Sequence, residues 1–308
     1  MGRHVCHALA AAGYRVRVAT RDRERAKENL ILLPTAEAAV VDVHDPADLA
    51  AFVGGADAVI NLVGVLHDGR GNRGFLAAHA ELARKVVEAC RANGVGRLLH
   101  MSSLGAGKDA PSAYLRSKGE AEAIVAGSGL AWTIFRPSVI FGREDSFLNL
   151  FAQALRFLPV MFLGSPNARF QPVFVEDVAQ AFAKSLADLG SHGQRYDLCG
   201  PRVYTLRELV EFTAAATGRR RPIVGLSDGL SYVQALVMGW LPVKVLTLDN
   251  YLSMKTDSVS DRVFPFGIAP AALEAVAPAW LGPVTPRSRY QQYRATVRRY
   301  NDSVIRDR

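Results

Sequence analysis

Cysteine is scarce in this chain of 308 residues: three in all, Cys6, Cys90 and Cys199, odd in number and far apart. That excludes a disulfide framework and gives no metal-binding spacing, so the thiols are expected in the core of a protein from a reducing compartment. The seven histidines are scattered. His4 and His7 share a helical face but have no carboxylate or cysteine companion, so no metal site is expected and the histidines are read as structural. No run of about 20 apolar residues qualifies as a membrane span, and no signal-peptide pattern precedes the first helix. Acidic residues are few, 29 Asp and Glu against 37 Lys and Arg, a net charge of +8. No aromatic-interleaved basic motif or zinc pattern turns that excess into a nucleic-acid site, so no nucleic-acid partner is expected.

Much of the positive charge is local. Arg219, Arg220 and Arg221 form one cluster, and Arg287, Arg289, Arg294, Arg298, Arg299, Arg306 and Arg308 make a basic C-terminal tail. An anionic lipid surface, an acidic partner subunit or a phosphorylated cofactor accounts for such an excess. The composition, 49% hydrophobic and 21% charged, is that of an ordinary globular protein long enough to bury a substantial core.

Along the chain, short apolar strands alternate with helices. A helix over 2–12 is closed by Gly13, and residues 15–19 alternate with period two as a strand does. A second strand at 39–41 runs into Asp42, and Pro46 opens a short helix after Asp45. A third, nearly continuous apolar strand spans 58–63, and a helix over 75–93 carries Leu76, Leu82, Ala83, Val86, Val87 and Cys90 on one stripe. Strands at 98–101 and 131–135 follow. The pattern predicts an α/β fold, a doubly wound parallel sheet of the Rossmann type, with ligands at the carboxyl ends of its strands. After Gly142 the pattern changes: a helix over 147–157, a short strand at 171–175, a helix opened by Glu176 and Asp177, a strand at 196–200, and a Thr205/Glu208 capping box. The expected division is a nucleotide-binding domain over 1–142 and a smaller C-terminal α/β subdomain over 143–308, with segments around 171–200 returning to the first. Residues 226–248 are hydrophobic but interrupted by Asp228, Pro242 and Lys244, which fits a helix pair on a membrane, in a subunit groove or packed on the core.

The stretch 98–118 organises the rest. A strand ends at Ser102 and Ser103, a glycine-bearing loop follows, and Tyr114 to Lys118 opens a helix. A tyrosine and a lysine four apart share a helical face, so the ammonium is expected to lower the phenol pKa from about 10 towards a value useful for proton transfer. The spacing recurs at Tyr251 and Lys255. Only the first copy follows an apolar strand ending in serines and precedes a second strand running into Arg136-Pro137, so the first is read as the site and the second as a surface pair.

The order of these features resembles the extended and atypical short-chain dehydrogenase/reductases: a strand with Ser102-Ser103, the Tyr114/Lys118 helix, then Phe135-Arg136-Pro137-Ser138-Val139-Ile140-Phe141-Gly142 and Pro172-Val173-Phe174-Val175-Glu176-Asp177-Val178-Ala179. Asn61-Leu62-Val63-Gly64-Val65-Leu66, Leu246-Thr247-Leu248-Asp249-Asn250 and Phe266-Gly267-Ile268-Ala269-Pro270 are similar to one branch of that superfamily. It is the branch of the NADPH-binding accessory subunit of respiratory complex I and its bacterial relatives. The resemblance implies a protein peripheral to the cytoplasmic face of an inner membrane, partnered by complex I subunits, that binds NADP(H) structurally. The alternatives it leaves are an NADPH-dependent reductase, a nucleotide-sugar epimerase or dehydratase, and a regulatory NADP sensor. In the enzyme readings Tyr114 is the general acid/base, Lys118 tunes it, and Ser103 or Ser102 orients the substrate carbonyl.

Carried over by position, Thr20 and Arg21 lie at the adenosine ribose, and Arg21 with Arg23 favours NADP over NAD because a guanidinium pairs with a 2′-phosphate. Asp42 and Val43 border the adenine, Leu62, Val63 and Gly64 approach the cofactor by backbone, Tyr114 and Lys118 bind the nicotinamide ribose, and Pro137 and Val139 flank the nicotinamide. The family opens with a strand and a G-x-x-G-x-x-G turn whose amides bind the pyrophosphate. This chain opens at Met1-Gly2-Arg3-His4 and matches only the last glycine, Gly2. The expectation is therefore a start placed downstream of the central strand. The 308-residue chain would then be less stable and bind NADPH poorly, whereas one longer by about ten upstream residues would bind it.

Overall fold

A computed structural model describes residues 1–66, 68–69, 74–240 and 246–282. The basic C-terminal tail and residues 241–245, with Pro242 and Lys244, lie outside the described residues.

The first half alternates as the pattern predicts: α1 (Gly2–Ala11), β1 (Val16–Thr20), α2 (Arg23–Leu30), β2 (Ala36–Val40), α3 (Pro46–Val53), β3 (Ala58–Asn61), α4 (Leu82–Ala92), β4 (Arg97–Met101), α5 (Ala113–Ala126) and β5 (Ala131–Pro137). Local chemistry sets several boundaries. Asp45 caps α3 by accepting from the amides of Ala47 and Asp48, with Pro46 at the first helical position. Gly13 sits at φ 87°, beyond the end of α1, where a Cβ would be strained.

Neighbouring strands pair in parallel, β3 with β4, β4 with β5, and β5 with a later strand, β10 (Gln194–Leu198). Period-two alternation sends adjacent residues to opposite faces. Leu98 and Ile134 join Leu49, Leu82, Val86, Cys90, Ala121 and Val125 in the core under α3, α4 and α5. Leu99 and Phe135 join Val5, Leu9, Val178, Phe182 and Leu198 in the core under α1 and α7 (Val175–Ala187). The sheet thus has helices on both faces, a three-layer α/β arrangement. It is also divided: β1 pairs in parallel with β2, but among the described residues no ladder joins β1 to β3. Val16 and Ile60 nevertheless pack against the same core. Arg17 crosses towards α3, donating to the Gly54 carbonyl at 2.7 Å.

The second half contributes β6 (Ile140–Phe141), α6 (Leu148–Phe157), β7 (Met161–Leu163), β8 (Arg169–Phe170) and β9 (Val173–Phe174) before α7. After β10 come β11 (Tyr204–Thr205), α8 (Leu206–Ala216), β12 (Ile223–Gly225), α9 (Asp228–Gly239) and α10 (Leu248–Ser253). Pairing here is in two-stranded pieces, β6 with β9, β7 with β12, and β8 antiparallel to β11. α8 opens with the Thr205/Glu208 capping box.

Several elements differ from the sequence reading: β2 spans Ala36–Val40 where 39–41 is expected, β3 stops at Asn61 short of 63, β10 covers Gln194–Leu198 in place of 196–200, and α2 has no counterpart. The helix over 75–93 contains a π turn at Ala77–Glu81 ahead of α4, a widened turn that no hydrophobic periodicity encodes. The strand at 171–175 is only the two residues of β9, because α7 already begins at Val175.

Candidate functional site

The site is built at the carboxyl ends of β3 and β4 against the first turns of α5. Ser112 caps α5 by accepting from the Leu115 amide at 3.1 Å. A second cap comes from far along the chain: the Asp249 carboxylate accepts from the amides of Ala113 at 2.7 Å and Tyr114 at 3.2 Å. Ser253 and Ser112 hydroxyls meet at 2.8 Å, so α10 is fastened to the start of α5 at two points.

Lys118 lies one turn after Tyr114, is 3% exposed, and donates from Nζ to the Met101 carbonyl at 3.1 Å. Burial lowers its pKa to about 8, opposed by the negative charge of Glu122. Glu122 is itself buried and takes a bidentate pair from Arg136, Nε at 2.8 Å and Nη2 at 2.5 Å, with Arg195 at 3.3 Å. This pins α5 to β5 and β10.

Tyr114 does not behave as its spacing to Lys118 predicts. Burial raises the phenol pKa and the Asp249 carboxylate raises it further, while a hydrogen bond with Ser103 pulls it down. The expectation of a phenol activated by Lys118 is corrected accordingly: the local field keeps Tyr114 protonated. The other pair, Tyr251 and Lys255, is a structural pin, since both side chains bind the Asp228 carboxylate at the start of α9.

Gly64, Ser102, Ser103, Tyr114 and Lys118 come together. A Cβ at Gly64 would stand 3.2 Å from Lys118 Nζ, so this glycine lets the 62–65 backbone come close to the ammonium. Ser102 is buried and its Oγ has no hydrogen-bond partner. Pro137 ends β5, with Val139 two residues beyond. Thr20, Arg21 and Arg23 lie at the end of β1 and the start of α2, Arg21 and Arg23 exposed, and the Thr20 hydroxyl folded into a turn with Asp22. Asp42 is exposed beyond β2 and accepts from the His44 amide at 2.9 Å, with Val43 beside it. Gly2 is the first residue of α1, with nothing within 4 Å of a Cβ built on it. Of these last six residues Thr20 ends β1, Arg21 follows it, Arg23 opens α2, Asp42 and Val43 follow β2, and Gly2 opens α1. Among the described residues no group of His, Cys, Asp or Glu has the arrangement of a metal site.

Sequence reasoning missed the two histidines beside Lys118. His79 is buried, with Nδ1 2.8 Å from Ser117 Oγ and Nε2 accepting from the Val65 amide at 3.1 Å. His100 is buried, with Nδ1 3.3 Å from Asn61 Nδ2 and Nε2 unpartnered. Burial and the Lys118 charge lower both pKa values to about 3. The available signal for His79 was its place on the apolar stripe, one turn before Leu82 and Ala83. Asp249 gave no local signal.

Parallel strand ends, an orphaned serine hydroxyl and a buried lysine behind a glycine fit a nicotinamide nucleotide. Residues 1–151 match a family described as NAD(P)H-binding. The chain belongs to the NAD(P)H-binding family, and a nicotinamide nucleotide is its cofactor class. Among its relatives is NADH dehydrogenase (ubiquinone) 1 alpha subcomplex subunit 9, mitochondrial, of Arabidopsis thaliana, 36% identical over 219 residues, covering 68% of this chain and 54% of that protein. A ceramide reductase of Caulobacter vibrioides is 31% identical over 252 residues, covering 78% of this chain and 75% of that protein. The chain thus spans about half the length of the plant relative. An NADPH-dependent quinone oxidoreductase from Escherichia coli, solved with NADPH, has a similar fold, with TM-score 0.68 at 22% identity over 84% of this chain and 88% of that one.

Proposed function

We propose that the protein is an accessory or assembly subunit of a complex I type NADH:quinone oxidoreductase that holds NADP(H) as a structural group. The observation that carries this reading is the similarity to the plant complex I subunit, 36% identical over 219 residues, and the C-terminal segment that ties Asp249 onto the first amides of the Tyr114 helix accompanies it.

In this reading the Lys118 ammonium, the Tyr114 hydroxyl and the Ser102 and Ser103 hydroxyls hold the nicotinamide ribose and its neighbourhood. Leu62, Val63 and Gly64 approach it by backbone, and Pro137 and Val139 flank the ring. Arg21 and Arg23 are free to pair with a 2′-phosphate, which selects NADP over NAD. Thr20 meets the ribose, Asp42 and Val43 the adenine, and Gly2 the pyrophosphate. Residues 1–142 form the nucleotide unit, joined by segments around 171–200, and the rest of 143–308 the smaller one.

The same reading places the protein at the cytoplasmic face of an inner membrane, against complex I subunits and anionic lipid. In support, α9 exposes Leu230, Val233 and Val237 at helical spacing with the exposed Trp240 just past its end, and the exposed Phe162 lies on β7, whose carbonyl at that residue accepts from Gln234 of α9. No described helix is long and apolar enough to cross a membrane.

The test is purification of tagged protein from its native membrane. Complex I subunits and close to one NADP(H) per chain are expected to co-purify, and neither Tyr114→Phe nor wild type is expected to differ in NADH:quinone activity. Free protein without those subunits, or a soluble reductase activity lost in Tyr114→Phe while assembly persists, overturns the reading. The second outcome would favour the alternative that similarity to the ceramide reductase supports. There the nucleotide supplies hydride, Tyr114 transfers the proton, and Ser103 orients the carbonyl.

A further inference from the structure

We propose that His79 is a positioning residue of the nucleotide site, tying the 62–65 loop to α5 and so fixing the close approach of Gly64 to Lys118 beside which the nicotinamide ribose is held. The proposal rests on the nucleotide-binding reading above.

The hydrogen bonds define which nitrogen carries the proton. Ser117 Oγ lies 2.8 Å from the Tyr114 carbonyl and donates to it, so its lone pairs face His79 and Nδ1–H must donate. Nε2 is then a bare acceptor, and it receives the Val65 amide. Two residues earlier, the Val63 amide donates to Asn61 Oδ1 at 3.1 Å. Gly64 therefore stands between two pinned amides, one held from the end of β3 and one from the helix side. A Cβ on Gly64 would be 3.5 Å from His79 Nε2 and 3.2 Å from Lys118 Nζ, so the loop, the imidazole and the ammonium meet at one point.

The π turn Ala77–Glu81 carries His79 at its centre, and Phe75 and Tyr114 enclose the ring, with centroids at 5.9 Å and 5.5 Å. A widened helical turn sacrifices regular hydrogen bonding and persists where it aims a side chain. Burial and the neighbouring Lys118 ammonium keep the imidazole neutral, so the Val65 bond is not lost by protonation in the neutral range. His79 acts on the nucleotide only through backbone and Lys118, hence a positioning role.

Two polar variants separate its bonds. In His79→Asn the amide nitrogen reproduces the donor to Ser117, but nothing reaches Val65. In His79→Gln the longer side chain puts an acceptor where Nε2 stood. Wild type and both variants, each made as the native gene product with whatever precedes Met1, are titrated with NADPH and with adenosine 2′,5′-bisphosphate, which lacks the nicotinamide half, and NADPH fluorescence and urea unfolding are followed. His79→Asn is expected to weaken NADPH about tenfold, the equivalent of one hydrogen bond, while leaving the bisphosphate unchanged. It should also alter the bound NADPH emission, and His79→Gln should restore both. Unchanged NADPH affinity in His79→Asn, no rescue by His79→Gln, or equal loss for both ligands in step with stability overturns the positioning role while wild-type NADPH binding keeps the nucleotide reading. Wild type that binds neither NADPH nor NADH overturns both.

Discussion

The Asp249 carboxylate and the Tyr114 amide are 135 residues apart in sequence and 3.2 Å apart in space, and their bond joins the C-terminal segment to the helix of the nucleotide site. Asp249→Ala removes a cap and a charge together. Stability should fall by about 1 kcal/mol in urea unfolding. The Tyr114 phenol, which Asp249 raises, should titrate lower, as read by absorbance at 295 nm with Tyr114→Phe as the assignment control. A phenol that moves upward contradicts the account of why this tyrosine stays protonated.

Lys118 yields an alkaline signature. Its folded pKa, about 8, lies below the ordinary lysine value of 10.5, so the cost of burying the ammonium is fully present below pH 8. Between pH 8 and 10.5 the unfolded chain keeps a proton that the folded chain has released, and stability rises with pH. Relative to Lys118→Met, the wild type should gain about 2 kcal/mol from pH 8 to pH 10 in denaturant unfolding. NADPH affinity should fall over the same range as the ammonium is lost.

The two buried histidines act at the other end of the scale. With folded pKa values of about 3 against 6.5, they stay neutral as the unfolded chain takes up protons below pH 6.5, so stability is lost as pH falls. From pH 7 to pH 5 each accounts for about 2 kcal/mol. His79→Gln should lose about 2 kcal/mol less than wild type over that interval, measured as the difference between urea unfolding at the two pH values.

Glu122→Gln leaves the Arg136 and Arg195 guanidiniums against a neutral amide in a site where the acid is 4% exposed. Breaking a buried pair from one side should destabilise by about 3 kcal/mol. The same change removes the charge that raises Lys118, so the lysine should titrate below about 8, observable by NMR of its Nζ or through the pH midpoint of nucleotide affinity.

Local features were legible because their causes are local. Asp45-Pro46 begins α3 and Thr205/Glu208 begins α8 because a side chain within three residues satisfies the first amides of each helix. The strands at 98–101 and 131–135 were legible from their apolar runs, and the period of two within each then sends Leu98 and Ile134 to one face and Leu99 and Phe135 to the other. The π turn was hidden within an apolar stripe that reads as regular helix.

What the sequence determined by itself was a parallel α/β fold, its strand ends, and a tyrosine and lysine on one helical face, all consequences of spacing. Tertiary structure alone decided what those groups are. It turned Tyr251 and Lys255 into a clasp on Asp228 and brought His79 to Val65. It also reversed the expected shift of Tyr114, because burial raises the phenol, against the hydrogen bond with Ser103, and a carboxylate delivered from residue 249 adds to the rise. A pKa is fixed by the three-dimensional field around a group, which helical spacing does not contain.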